Sequence, residues 1–281
     1  MRFETSPELR LFADSVRGAI SGWEPPREPV FGTWWDEHDG ELAARVATVG
    51  FAELWADSEL LGACVAGSVE LGRALAPVSL LDAATLGGAL AVGDRARHLE
   101  FQERKVALVS PDGLVLAVVE PRQREPTLDG TGTVRIEPLS GAVASDSDAR
   151  LRAWSAATLG YLAGVAAASL EETVAYVSSR EQFGAPLASL PTMQARLADA
   201  VLAVDGVELV AWESAVAGPD ADPLPREALR FGGAAAREVT ATAQQAHGGV
   251  GFALESGVHR WYRRAKSVQV WIAAVLDAVN R

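Results

Sequence analysis

The feature that most constrains this chain is the helical periodicity of its last roughly 130 residues. Leu159, Leu162, Ala166, Leu170, Val174 and Val177 recur at intervals of three or four, and so do Leu197, Val201, Val204, Val207 and Ala211. That spacing puts an apolar stripe on one face of a helix, and such a stripe must be buried against another element. A loop at 219–223 (Pro-Asp-Ala-Asp-Pro) ends the second stripe. A third helix is expected over Leu224–Ala246, where Gly232-Gly233-Ala-Ala-Ala236 permits close contact, and a fourth from near His259 to the end. Four long helices joined by short loops form an antiparallel bundle. Residues 151–281 are therefore expected to be a four-helix bundle, with Arg150 in the loop that leads into it.

The remainder divides in two. Residues 1–87 read as helical: Ser6-Pro7 opens a run in which Leu9, Phe12, Val16 and Ile20 share a face. A turn-rich patch at Pro25, Pro26 and Pro29 interrupts it. Helical spacing then resumes through Leu42, Val46, Phe51, Val65, Val69, Leu71 and Leu75, closing at Ala76-Pro77. Residues 88–150 change character. Two apolar runs, 106–109 and 114–119, flank a Pro-Asp-Gly turn, which is a hairpin signal, and Val134-Arg-Ile136 reads as a further strand. The expected fold is α+β, mainly α: an N-terminal helical domain, a small β domain and a C-terminal bundle.

Composition narrows the function. Apolar residues make up 49% and charged residues 22%, the balance of a folded chain rather than a disordered one. No stretch of about 20 uncharged apolar residues marks a membrane span, and the first residues lack an apolar signal core. A cytoplasmic location is expected. The net charge of -12 disfavours nucleic acid and anionic membrane surfaces as partners. It also opposes any anionic small ligand, which would need local cations and oriented backbone donors. Cys64 is the only cysteine, and His38, His98, His247 and His259 show no ligand spacing, so no metal site is expected. Ser-His-Asp chemistry lacks a nucleophile elbow. Glu171-Glu172 reads as a solvated helix face.

Two segments stand out. In Tyr176-Val-Ser-Ser-Arg180-Glu-Gln182-Phe183-Gly184-Ala-Pro186 an arginine, an aromatic, a glycine and a proline follow a helix, which as a bare pattern is a helix stop. In Gln244-Gln245-Ala-His247-Gly248-Gly249-Val-Gly251-Phe252 the glycines let a ligand approach the backbone closely. No predicted strand precedes them, so the dinucleotide-fold reading fails. As a bare pattern they are a tight turn.

Taken together and in order, the segments resemble the C-terminal domain of the acyl-CoA dehydrogenases. That family's Arg-x-x-Phe-Gly-x-Pro reappears at 180–186, its Gln-x-x-Leu-Ala-Asp at Gln194 to Asp199, its Gln-x-x-Gly-Gly-x-Gly-Phe at Gln245 to Phe252, and its Arg-x-Ala-Lys at Arg263 to Lys266 with Arg264 replacing an acidic residue. Glu70-Leu-Gly-Arg-Ala-Leu-Ala-Pro77 resembles the family's N-terminal domain more loosely. The resemblance implies FAD as cofactor and assigns Arg180, Gln182, Phe183, Gln245, Gly248 and Gly249 to the ADP half of a neighbouring subunit's FAD. A guanidinium suits a pyrophosphate because its planar fork donates to two oxygens at once.

The departures matter as much. The family's catalytic glutamate follows the Arg-x-Ala-Lys segment, and counting forward reaches Ile272, after Trp271. A minority places the base near the start of the first bundle helix, where this chain has Ala153 beside Trp154. Neither Ile272 nor Ala153 can take a proton. The β region is shorter than the family's and lacks its Thr-Glu-Pro-x-x-Gly-Ser-Asp-like segment. The resemblance thus extends to reduced subunits of heteromeric, steroid-degrading acyl-CoA dehydrogenases. A larger subunit (α2β2) would supply the catalytic glutamate and hold the acyl-CoA, a steroid side-chain thioester being one such substrate. Two alternatives stand beside it: a homo-oligomeric flavoenzyme of other chemistry (monooxygenase or dehydratase), and a structural subunit without flavin.

Overall fold

The computed structural model describes residues 6–25, 40–97, 104–125, 127, 132–182 and 184–280. The expectations for Phe183, His38 and His98 fall outside these residues, as do those for Pro26 and Pro29. Four helices come first: α1 (Pro7–Ala19), α2 (Gly40–Ala47), α3 (Leu61–Arg73) and α4 (Ser79–Leu86). Ser6 caps α1, its hydroxyl accepting from the Leu9 amide at 3.3 Å. The expected close at Ala76-Pro77 is instead a turn between α3 and α4, after which the chain winds up again over Ser79–Leu86.

Five strands follow: β1 (Ala89–Val92), β2 (Arg95–Arg97), β3 (Lys105–Ser110), β4 (Gly113–Glu125) and β5 (Thr133–Val143). They close into a barrel in the order β1-β2-β5-β4-β3, with β1 and β3 parallel. Its interior is narrow, filled by Ala91, Ala96, Val106, Ala117, Val119, Val134 and Ile136. The Pro-Asp-Gly hairpin is present, Ser110 pairing with Gly113. β5 runs well past Ile136 because β4 pairs it as far as Val143. Pro138 and Gly141 hide that in the sequence. Pro138 sits opposite Val119 at a register shift, where a missing N–H is tolerated.

The last four helices are α5 (Ser147–Ser179), α6 (Pro191–Val216), α7 (Arg226–His247) and α8 (His259–Ala278). One expectation is corrected: Arg150 lies in the first turn of α5, not in a loop. The helix starts early because Ser147 ties it to the barrel, accepting from the Leu114 amide at 2.8 Å. Arg150 pairs with Asp146 at 2.9 Å and stacks 3.8 Å above the Trp55 ring. α5 is long and apolar enough by composition to cross a membrane, yet it forms the centre of the protein and is mostly buried. Its small residues allow this. A Cβ at Gly164 would strike the Val69 carbonyl, and one at Gly72 the Tyr161 carbonyl, so α3 and α5 touch backbone to backbone. Gly232 likewise lets α7 close on Leu159.

Candidate functional site

The candidate residues fall in two places: the end of the bundle that carries the glycine segments, and the interior around Ile272.

At the bundle end, α5 stops at Arg180, which leaves helical geometry (φ -80, ψ 118) while its amide still donates to Tyr176 O at 2.8 Å. Gly184 turns the chain at φ 80, Glu181-Gln182 pair with Ala185-Pro186, and Pro191 opens α6. The Leu187 amide closes the turn by donating to Arg180 O at 2.8 Å. Arg180 and Gln182 are exposed. Among the described residues the Arg180 side chain makes neither an ion pair nor a hydrogen bond.

α7 ends beside it. Tyr176, one turn before Arg180, stacks on His247 with ring centroids 4.1 Å apart and planes 19° from parallel. His247 is buried and its Nδ1 donates to Ala243 O at 2.8 Å. That histidine is committed to fastening the two helix ends together, which leaves ligand contact to its neighbours. Gly248 ends the helix at φ 62, and residues 248–252 make one tight turn, closed by Gln244 Nε2 donating to Gly251 O at 3.3 Å.

The three glycines have different reasons to be glycine. Gly248 needs its left-handed backbone, and a Cβ on Gly251 would strike the Gln244 carbonyl. Gly249 has ordinary φ, and a Cβ there would meet nothing within 4 Å. Nothing inside the chain requires it. An exposed backbone with no side chain over it, in the loop after exposed Gln245, at a helix end that His247 joins to the helix carrying Arg180, fits an anionic ligand that approaches from outside. An FAD pyrophosphate meets that description.

The interior is the opposite. Ile272 and Ala153 are 2% and 0% exposed and belong to the main core. Near them is an ion pair that the sequence reading missed. Arg97 Nη2 donates to Asp82 Oδ1 at 2.6 Å and Nε to Oδ2 at 3.0 Å, both side chains being buried. The indole of Trp154 also donates to Asp82 Oδ1 at 3.3 Å, and the Arg97 guanidinium lies 5.6 Å from the Trp271 ring. Both oxygens of Asp82 are held by donors, so it is not an available base. A carboxylate in the apolar run 78–86 is the one signal that could have found this pair.

Between α8 and the barrel a cavity of about 480 Å³ is lined by Val92, Arg95, Thr133, Lys266, Val270 and Trp271 among others, with no carboxylate in its wall among the described residues. Arg264, which departs from the family's acidic residue, is buried and bonds Ala76 O at 2.8 Å and the Tyr161 hydroxyl at 2.5 Å. It ties α8 to the α3–α4 turn. Among the described residues no cluster of histidine, cysteine and carboxylate ligands could hold a metal.

The acyl-CoA dehydrogenase C-terminal domain family matches residues 150–272. The short-chain specific mitochondrial acyl-CoA dehydrogenase of Rattus norvegicus is 35% identical over 111 residues, which are 38% of this chain and 27% of that one. The match thus spans about a quarter of the length of that curated relative. Among solved structures, a "Tcur3481-Tcur3483 steroid ACAD" variant superposes with a TM-score of 0.74 at 20% identity, covering 97% of this chain and 96% of its own. The ChsE4-ChsE5 complex from Mycobacterium tuberculosis gives 0.66 at 18% identity, covering 100% and 97%. Identities this low show a shared fold, here over nearly the whole chain. Residues 150–272 therefore match the acyl-CoA dehydrogenase C-terminal domain, and the chain as a whole shares the fold of these structures.

Proposed function

We propose that this chain is the reduced subunit of a heteromeric, FAD-dependent acyl-CoA dehydrogenase. It supplies contacts to the ADP half of a flavin held mainly by a larger partner, and the partner supplies the catalytic carboxylate. One observation carries the reading: an exposed Arg180 at the end of α5, the helix whose Tyr176 stacks on His247 at the end of α7, coexists with an apolar, buried residue where the base would be. A bound FAD would supply the acceptor for the β-hydride of the acyl thioester. The α-proton goes to the partner's carboxylate, because neither Ile272 nor Ala153 can accept it. Arg180 would hold the pyrophosphate oxygens, Gln182 and Gln245 would add donors, and the amides at Gly248 and Gly249 would complete the cradle; Phe183 is assigned to the adenosine by the same reading. The two neighbours named as an ACAD pair and as a complex support the heteromeric form, and the steroid named for one of them supports a steroid side-chain thioester as substrate.

The cavity against α8 gives a second reading its foothold, in which the chain holds its own flavin and runs other chemistry. One preparation separates the two. The full chain is purified alone, and again after co-expression with acyl-CoA dehydrogenase-like proteins encoded beside it. The proposal expects flavin absorbance and acyl-CoA oxidation only in the co-purified complex. A yellow, active homo-oligomer would overturn it.

A further inference from the structure

The candidate flavin contacts sit on two turns that belong to different helices. Arg180 and Gln182 follow the end of α5, while Gln245, Gly248 and Gly249 lie at the end of α7. A ligand held from both turns needs a fixed spacing between them, because a bidentate fork tolerates only about 0.5 Å of misplacement. Among the described residues no hydrogen bond or ion pair joins residues 176–190 to residues 243–252. What joins them is a pair of rings. Tyr176 stacks on His247 with centroids 4.1 Å apart and planes 19° from parallel.

Each ring is tied directly to its own turn. The Arg180 amide donates to Tyr176 O at 2.8 Å, so the helix is still closed between the tyrosine and the arginine. His247 directly precedes Gly248, and Nδ1 donating to Ala243 O at 2.8 Å holds its ring at one angle. The glycine turn folds back on the same residue: a Cβ on Gly251 would lie 3.0 Å from His247 Cβ. The Tyr176 hydroxyl makes no hydrogen bond among the described residues, so the tyrosine serves this junction with the face of its ring. Stacked faces have a preferred distance and tilt, which an aliphatic contact lacks.

We propose that Tyr176 and His247 are positioning residues for the flavin, their stack setting the separation at which the arginine turn and the glycine turn reach one pyrophosphate together. The proposal rests on the flavin-contact reading above and deepens it. The test strips FAD from the co-purified complex, titrates it back, and records the thermal melt of each variant beside its FAD affinity. His247→Asn keeps a donor toward Ala243 O and removes the ring; His247→Phe keeps a ring and removes the donor. FAD should bind about tenfold more weakly to the asparagine variant and within about threefold of wild type to the phenylalanine variant, irrespective of which melts lower. Tyr176→Leu removes the other, half-buried ring and should match His247→Asn. In an Arg180→Ala background, His247→Asn should cost no more than about a further twofold, because a ligand held from one turn no longer senses the spacing; independent losses would multiply instead. Multiplying losses, or an FAD affinity that follows the melt and not the ring, overturn the proposal and leave the stack as packing. Wild-type affinity in His247→Asn, with Arg180→Ala still weakened, overturns the stack and leaves the flavin reading standing. Wild-type affinity in both variants defeats the flavin reading, and the positioning role with it.

Discussion

At the bundle end, Arg180, Gln182, Gln245 and Gly249 are exposed and contribute little to their own fold, whereas around Ile272 the polar groups serve the chain itself. An exposed, unpaired arginine adds little stability, so the chain gains nothing internally from keeping it. A buried arginine locked to an aspartate and set against two tryptophans is structure. The contrast teaches that one group of polar residues faces outward with little role in the chain's own packing, while the other is part of the core.

The largest effect should come from breaking the inner region. Asp82→Ala strands the buried Arg97 without its counter-ion and should cost about 3–5 kcal/mol in urea unfolding. Asp82→Ala/Arg97→Met should regain much of it. A cost near zero for the single change would mean that the pair is solvated and the region is not core. Next, Ile272→Glu puts a carboxyl where Ile272 is 2% exposed. Burial raises its pKa, so it folds neutral at low pH and must ionise, unfavourably, as pH rises through that raised value. Stability should fall by about 2–4 kcal/mol between pH 4 and pH 8 relative to wild type, and the isolated chain should gain no dehydrogenase activity. A flat difference across that range would contradict the burial.

The glycines sharpen the comparison within one loop. Gly251→Ala forces a methyl onto the Gln244 carbonyl and should lower stability by about 1–3 kcal/mol. Gly249→Ala meets open space and should leave the melt within about 0.5 kcal/mol while lowering flavin retained by the complex. Equal effects on the melt would remove the case that Gly249 looks outward. The smallest effect concerns His259, at the start of α8. Burial holds its pKa below the usual histidine range, and nearby Arg263 and Arg260 push the same way. Its contribution is present above about pH 6.5 and is lost as pH falls through the lowered value. A shallow loss of melting temperature on acidification from that point, absent in His259→Gln, is expected.

Much of the fold was legible because periodicity survives in long helices: α5 to α8 follow from apolar spacing and loop length. The barrel was only half legible. Pro138 and Gly141 break the alternation of β5, and pairing across a closed barrel is set by partners far along the chain. The early start of α5 was missed because Ser147 is fixed by a strand amide, a contact with no local signature. In the site, the motif residues were readable but their division of labour was not. Sequence could not tell that His247 is fastened to Tyr176, or that Gly249 alone among its neighbours has no internal reason to be glycine. The Arg97–Asp82 pair lay hidden because one member sits on α4 and the other on β2, with no local spacing to join them.

The most direct test of the outward-facing group is FAD bound per complex in Arg180 variants. Arg180→Ala should keep the partner and the chain's own melt but weaken FAD about 30-fold or more. Arg180→Lys should recover part of it, since an ammonium keeps the charge without the fork. Arg122→Ala, an exposed barrel pair with Glu137, should change nothing. Full FAD occupancy in the Arg180→Ala complex would show that Arg180 ends a helix and does no more.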